Sequence, residues 1–326
     1  GSLEGTLTAK STLLAGTLEA EAALRGSDVT TGTAEIDKII GDAALIDLTV
    51  RRSEDGLFLD SLNVTTDQFS AGAEGQASDA TLNLQLAANL RDLSVLAPGI
   101  AGPLDLNGTV SAASGPLTVD IGLTGPQGLS AEVSGELDRD LKSADLTADG
   151  NLDLSILSVI LEPRKLNGKL GFDLSLDGPI VPTSLSGNLT LSDGAFEDQS
   201  LEIALGSLAA EVEFEGDRVD LDASGISEPD GQLELSAELD FLKEDPSQFL
   251  PYAVDYLVTA KDEGLVSRMA RLPSKQVFDL QLAGRAAADT VSADVLLKSN
   301  GSEKLKGKAG LVTNDSDRTA RDFSVD

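Results

Sequence analysis

Large apolar residues fall at alternate positions along most of this chain. In Leu170-Gly171-Phe172-Asp173-Leu174-Ser175-Leu176 the bulky side chains point to one side of an extended backbone, and the small or acidic ones point to the other. The pattern returns in Leu82-Asn83-Leu84-Gln85-Leu86, Leu117-Thr118-Val119-Asp120-Ile121, Leu201-Glu202-Ile203-Ala204-Leu205, Val219-Asp220-Leu221-Asp222-Ala223 and from Leu233 to Leu239. Such segments predict strands with one greasy and one wet face, the arrangement of an antiparallel sheet. Asp55-Gly56, Asp149-Gly150, Glu215-Gly216-Asp217 and Asp230-Gly231 read as hairpin turns between them, and Gly125-Pro126 and Gly178-Pro179 as further breaks. Strands then follow one another about every ten residues, the spacing of an all-β chain. No βαβ alternation is visible, which argues against a doubly wound α/β fold.

An internal repeat overlies this pattern. Asp92-Leu93-Ser94-Val95-Leu96 matches Asp153-Leu154-Ser155-Ile156-Leu157, and Leu106-Asn107-Gly108-Thr109-Val110 matches Leu166-Asn167-Gly168-Lys169-Leu170. Each copy reads as strand, one apolar helical turn, then strand, and Asp279 to Gly284 is a weaker echo. Repetition at this distance predicts similar units stacked along an axis. The whole of 1–326 reads as one elongated repeat-built segment, with sub-units at 1–80, 81–150, 151–240 and 241–326. Residues 241–251 break the alternation, and 262–272 fit a short helix. The end, Asp315 to Asp326, reads as frayed or as a strand without a neighbour. The Gly1-Ser2 opening suggests a piece of a longer protein.

Charge and composition narrow the function. With 55 acidic against 24 basic residues the net charge is −31, and no basic stripe is present to meet phosphates, so nucleic acid is not an expected partner. The chain has no Cys and no His, which removes disulfides, thiolate nucleophiles, Cys/His metal sites and histidine base chemistry. No phosphate loop, dinucleotide fingerprint or nucleophile elbow occurs. Carboxylate pairs such as Asp138/Asp140 and Asp220/Asp222 are common among 55 acids, and the aromatics of a sugar cleft are missing. Asp149-Gly150-Asn151-Leu152-Asp153 and Asp315-Ser316-Asp317 space oxygens as calcium loops do. No Glu closes the first at the twelfth place, where Ile160 stands, and turn chemistry explains both. Asn188-Leu189-Thr190 reads as strand, not glycan acceptor. Lys298, Lys304, Lys306 and Lys308 read as a solvated edge or a contact for anionic lipid heads. The expectation is a protein that is not an enzyme, with no cofactor and no metal site.

Hydrophobic residues reach 41 % while aromatics are only 3 %, so the apolar face is aliphatic. Sandwich cores commonly use bulky rings to fill the gap between sheets, and this chain has few. A one-sided sheet of this size has three ways to shelter its apolar face: closing into a filled β-sandwich, closing into a barrel, or curling into a trough left open for a guest. An acyl chain is the natural guest. Each CH₂ is worth about 0.8 kcal/mol, so a tail of about sixteen carbons resists water by roughly 12 kcal/mol. The trough positions are taken from the clearest strands: Leu170, Phe172, Leu174, Leu176, Leu189, Leu191, Leu201, Ile203, Leu205, Val212, Phe214, Val219, Leu221, Leu233, Leu235 and Leu239.

Pro182, Leu185, Gly187, Leu189, Leu191 and Gly194 form a Pro-x-x-Leu-x-Gly-x-Leu-x-Leu-x-x-Gly segment. Together with Asp153-Leu154-Ser155, Leu166 to Leu170, Leu174 to Pro179, Asp193 to Phe196 and Gly216 to Val219, it resembles the C-terminal half of the TamB family over about residues 80–290. These are the inner-membrane-anchored, periplasm-spanning subunits of the bacterial translocation and assembly module, within the AsmA-like group. The resemblance implies an elongated, curved, mostly antiparallel sheet forming a β-taco with an aliphatic groove. It implies the periplasm of a Gram-negative bacterium, and phospholipid acyl chains as cargo between inner and outer membranes. It further implies support of outer-membrane protein assembly with a BamA-like (TamA-like) barrel, through regions outside this chain. The family's membrane anchor and its apolar C-terminal end are not seen here. Two other readings stand beside it. One is a chaperone-like scaffold that templates outer-membrane strands by edge pairing, and the other a β-solenoid or adhesin spacer.

Overall fold

The computed structural model describes residues 1–12, 16–78, 81–113, 115–158, 161–200, 203–227, 231–241, 251–262, 277–287, 290–313 and 321–325. The protein is all-β and antiparallel, as the alternation predicts. It divides into two compact units, Gly1–Asn151 and Leu152–Asp326.

In the first unit the strands are β1 (Ser2–Thr12), β2 (Thr17–Ser27), β3 (Ala43–Ser53), β4 (Gly56–Thr66), β5 (Phe69–Ala77), β6 (Thr81–Leu90), β7 (Leu104–Ala113), β8 (Leu117–Thr124), β9 (Ser130–Leu137) and β10 (Ser143–Asp153). Each pairs antiparallel with the next in a meander. The second unit repeats the scheme with β11 (Arg164–Pro179), β12 (Leu185–Asp198), β13 (Ile203–Glu215), β14 (Arg218–Ser227), β15 (Gly231–Phe241), β16 (Pro251–Asp262), β17 (Phe278–Ala287), β18 (Thr290–Ser299), β19 (Ser302–Thr313) and β20 (Arg321–Val325).

Burial follows the period of two. In β6, Leu82, Leu84 and Leu86 are half-buried while Thr81, Asn83 and Gln85 are exposed. Where the sequence slips phase, a bulge absorbs the slip. In β13 the apolar set passes from Ile203 and Leu205 to Leu208, Ala210, Val212 and Phe214, and the register shifts between Gly206 and Ala209, where Ser207 has φ 48°. Both sets therefore face the same side. Gly135 answers a different need. It sits mid-strand at φ 138°, and a Cβ there would collide with the Asp145 carbonyl of β10. Only glycine tolerates both conditions.

Short helical pieces interrupt the meander at strand ends. In the loop after β2, α1 (Ala34–Ile40) stops at Gly41, whose φ is 63°. Buried Thr66 secures it: its hydroxyl donates to the Ile39 carbonyl at 2.7 Å and accepts from the Phe69 amide at 3.0 Å. The matched segments Asp92–Leu96 and Asp153–Leu157 build matching caps. Asp92 accepts from the Ser94 amide at 3.0 Å ahead of a 3₁₀ turn (Leu93–Val95), and Asp153 accepts from the Ser155 amide at 2.9 Å ahead of α2 (Ser155–Ser158).

Two expectations change, and three pass out of view. Asp149-Gly150 is not a turn: both residues lie inside β10, opposite Glu132 and Ala131, because the alternation runs on through Leu152 and keeps pairing with β9. The end of the chain is not a strand without a neighbour, since Arg321–Val325 pairs with β19. The helix at 262–272, most of the break at 241–251, and Asp315-Ser316-Asp317 lie outside the described residues.

Candidate functional site

Registers align the apolar positions of successive strands into continuous rows, because directly opposed residues share a face. In the first unit one row runs Leu7, Ala22, Leu48, Leu62, Ala73, Leu86, Gly108, Ile121, Val133, Ala148. Its neighbour runs Ala9, Ala20, Val50, Leu59, Gly75, Leu84, Val110, Val119, Gly135, Leu146. Gly108 in the first row, and Gly75 and Gly135 in the second, stand between larger residues, so the apolar surface dips there.

The second unit carries three such rows. They run Leu170, Leu191, Ala210, Ala223, Leu235, Val258, Leu282, Val295; then Phe172, Leu189, Val212, Leu221, Ala237, Tyr256, Gly284, Ala293; then Leu174, Gly187, Phe214, Val219, Leu239, Val254, Ala286, Val291. Leu176 on β11 and Leu233 on β15 extend the same face. Past the bulges, so do Leu205, opposite Phe196, and Ile203, opposite Asp198. Of the sixteen trough positions read from sequence, Leu201 lies outside the described residues, and the other fifteen share this one face. Val219 is buried and the rest are half-buried. The strand reading missed the equivalent residues of the first unit and of β16 to β18, although the same alternation marks them.

Within each unit, and among the described residues, no second layer of strands packs over these rows. Buried apolar residues among those described are confined to Leu90, Ile100, Ala112, Val119, Ala144, Leu154, Ile156, Val219, Ala253, Ala260 and Phe278. Most row side chains are half-buried, neither sealed in a core nor fully in solvent.

The opposite face is polar and acidic. Shallow hollows of about 520 and 630 Å³ lie there, the first edged by Glu211, Asp222 and Glu234, the second by Asn63, Glu74 and Asp120. Glu213, Asp220, Glu238 and Asp255 stand opposite one another across β13 to β16, with Arg285 next in line. Arg218 reaches Asp220 at 2.8 Å and Glu238 at 3.2 Å, and Arg285 pairs with Asp255. The hydrogen bond from Arg218 to Asp220 raises the arginine's pKa further above its usual value. Among the described residues no group of three or more His, Cys, Asp or Glu is placed to hold a metal ion. Asp138 accepts from the Ser143 hydroxyl across its turn, while Asp149 and Asn151 stand exposed on β10. No described helix is long and apolar enough to cross a membrane.

Two carboxylates shape loops. The Ser94 amide holds Asp92, and the Ser155 hydroxyl and amide hold Asp153, each below the ordinary aspartate range. At the end of β12, buried Asp198 accepts from Arg164 Nε at 2.8 Å and from the Ser200 amide at 2.9 Å.

No protein-family model, curated protein or solved structure matches this chain.

Proposed function

We propose that the chain is a periplasmic segment of a bridge-like conduit, in which phospholipid acyl chains travel over the apolar rows while headgroups stay in solvent. One observation carries the reading: aliphatic rows cross strand after strand without interruption by charge, and their side chains are half-exposed instead of capped by a second layer. Each CH₂ laid on such a surface regains about 0.8 kcal/mol that it would lose in water, so moving from a bilayer onto the rows is nearly neutral. Saturated tails ask for no hydrogen bonds, which fits a face made mostly of Leu, Val, Ala and Gly, with Phe172, Phe214 and Tyr256 as its aromatic members. The acidic opposite face keeps the segment soluble and repels anionic membrane surfaces. The resemblance of residues 80–290 to the TamB family supports the same reading. It adds an inner-membrane anchor and a BamA-like barrel partner outside this chain, with outer-membrane assembly as the process served. The chemistry invoked is transfer without covalent change, so the segment acts as a carrier and not as an enzyme.

A photo-crosslinking residue at Leu174 tests this, with Asp173 on the opposite face as control. Cells expressing the variants are irradiated, and the purified chain is analysed for attached lipid by mass spectrometry. Lipid at position 174 and none at 173 is expected. Equal labelling at both, or none at 174, overturns the conduit.

A further inference from the structure

Resting on the conduit reading, we infer that Arg52 is the headgroup contact of the apolar face in the first unit. It takes the phosphate of a phospholipid whose tails lie along β2 to β4 toward α1. Among the strand residues of this unit, Arg52 is the only charged one on the apolar face. It follows Val50 by two in β3 and stands between Leu18 of β2 and Leu57 of β4, in a row that continues through Ala77, Leu82 and Ala112. Arg51, one residue earlier, belongs to the polar face. There it pairs with Asp60 at 3.1 Å, and its guanidinium lies 4.4 Å from the centre of the Phe58 ring. The Arg52 side chain is exposed and has no ion pair or hydrogen bond among the described residues, in a chain that carries 55 acids.

A guanidinium offers a planar fork of donors that matches a phosphate. Leu18 and Leu57 beside it are 40 % and 50 % exposed, so an arriving amphiphile finds open apolar surface next to the one cation. The other end of the same strands is covered. Thr66 emerges on the apolar face two residues past Val64, and its hydroxyl bonds the Ile39 carbonyl of α1 at 2.7 Å. Leu90, opposite Phe69 at that end, is buried, and α1 meets the 3₁₀ turn Leu93–Val95. Six strand steps separate Ile46 from Arg52, about 20 Å. One leaflet's share of a ~30 Å hydrocarbon core is about 15 Å, so a tail running from Arg52 fits over Val50, Leu48 and Ile46 before the cover begins. The reverse orientation would set the phosphate over buried Leu90 and the tail end at the cation. The net charge of −31 opposes anions at a distance, but salt screens it over about 10 Å at 0.1 M, and contact with Arg52 is closer than that.

A photo-crosslinking residue at Leu59, in the row beside that of Arg52, reads lipid occupancy. The purified chain is mixed with nonionic micelles holding either phosphatidylglycerol or diacylglycerol of the same tails. Phosphatidylglycerol is expected to label about three- to fivefold more, the worth of an exposed ion pair. Arg52→Gln brings the two lipids level and leaves diacylglycerol labelling unchanged, while Arg52→Lys keeps most of the preference. Millimolar inorganic phosphate leaves the preference in place, because the free anion lacks the tail. Equal labelling in the unmodified chain, or a preference that survives Arg52→Gln, overturns the headgroup contact and leaves the conduit standing. A preference abolished by inorganic phosphate assigns Arg52 to a free anion and overturns the contact too. No label from either lipid removes tails from this face and overturns the conduit along with it.

Discussion

Tyr256 stands directly opposite Gly284 across β16 and β17, and its hydroxyl occupies the space a side chain at 284 would need. A Cβ on Gly284 would come within 2.6 Å of that hydroxyl and collide with the Ser292 carbonyl, to which the hydroxyl donates at 3.0 Å. The ring covers the bare backbone of the glycine, and the bond satisfies its one polar atom. Tyr256→Phe should cost about 1 kcal/mol. Gly284→Ala should cost more, because strand backbone has to move. Denaturant titration of the two variants checks the order.

Gly135 makes a stricter demand. Its φ of 138° and the nearby Asp145 carbonyl both exclude a side chain. Gly135→Ala should destabilise by about 1–3 kcal/mol, while Gly16→Ala, with φ also positive but open space around it, loses only the backbone preference. Thermal melts of both separate steric collision from backbone strain.

If the apolar rows lack a second layer, truncating them is cheap. Leu84→Ala and Leu235→Ala should each cost about 1 kcal/mol, against the ~2–5 kcal/mol of a sealed core. Equilibrium unfolding reads the difference, and values in the upper range would mean that the face is covered.

The caps at Asp92 and Asp153 set a pH dependence. Their folded pKa values lie below the unfolded aspartate value, so their contribution is complete above about pH 4. It fades as pH falls through the lower, folded values. The stability gap between the unmodified chain and Asp153→Ala should therefore be constant from pH 7 to 5 and close below pH 4. Urea titrations across that range measure it.

On the polar face, Asp220 and Glu238 oppose each other with Arg218 between them. Like charges in opposed positions destabilise a sheet, and salt screens them over about 10 Å at 0.1 M. Arg218→Ala should lower the melting temperature most at low salt, and added sodium chloride should recover part of the loss.

Much of this architecture was legible in the order of residues. Period-two runs such as Leu170 to Leu176 became strands because every second side chain finds an apolar neighbour on the next strand. Asp55-Gly56 and Gly216-Asp217 turned where expected. Asp149-Gly150 misled: a turn dipeptide is a local preference, and the pairing of Ser130 to Leu137 with Ala144 to Asn151 outweighs it. α1 gave no comparable pattern, since its hold on the sheet comes through Thr66, far along the chain. The rows themselves were hidden for the same reason. That Leu170 sits level with Leu191, Ala223 and Leu235 depends on bulges such as the one at Ser207, and no single segment reveals those offsets.

Within each unit every strand takes its partners from its immediate neighbours in the chain. Removing or duplicating one strand would send the next in the wrong direction, but a whole hairpin can be gained or lost with every remaining side chain still facing its proper way. A gene encoding such a protein can thus tune its reach in steps of about 10 Å, two strand widths at a time, without redesigning any contact it already has.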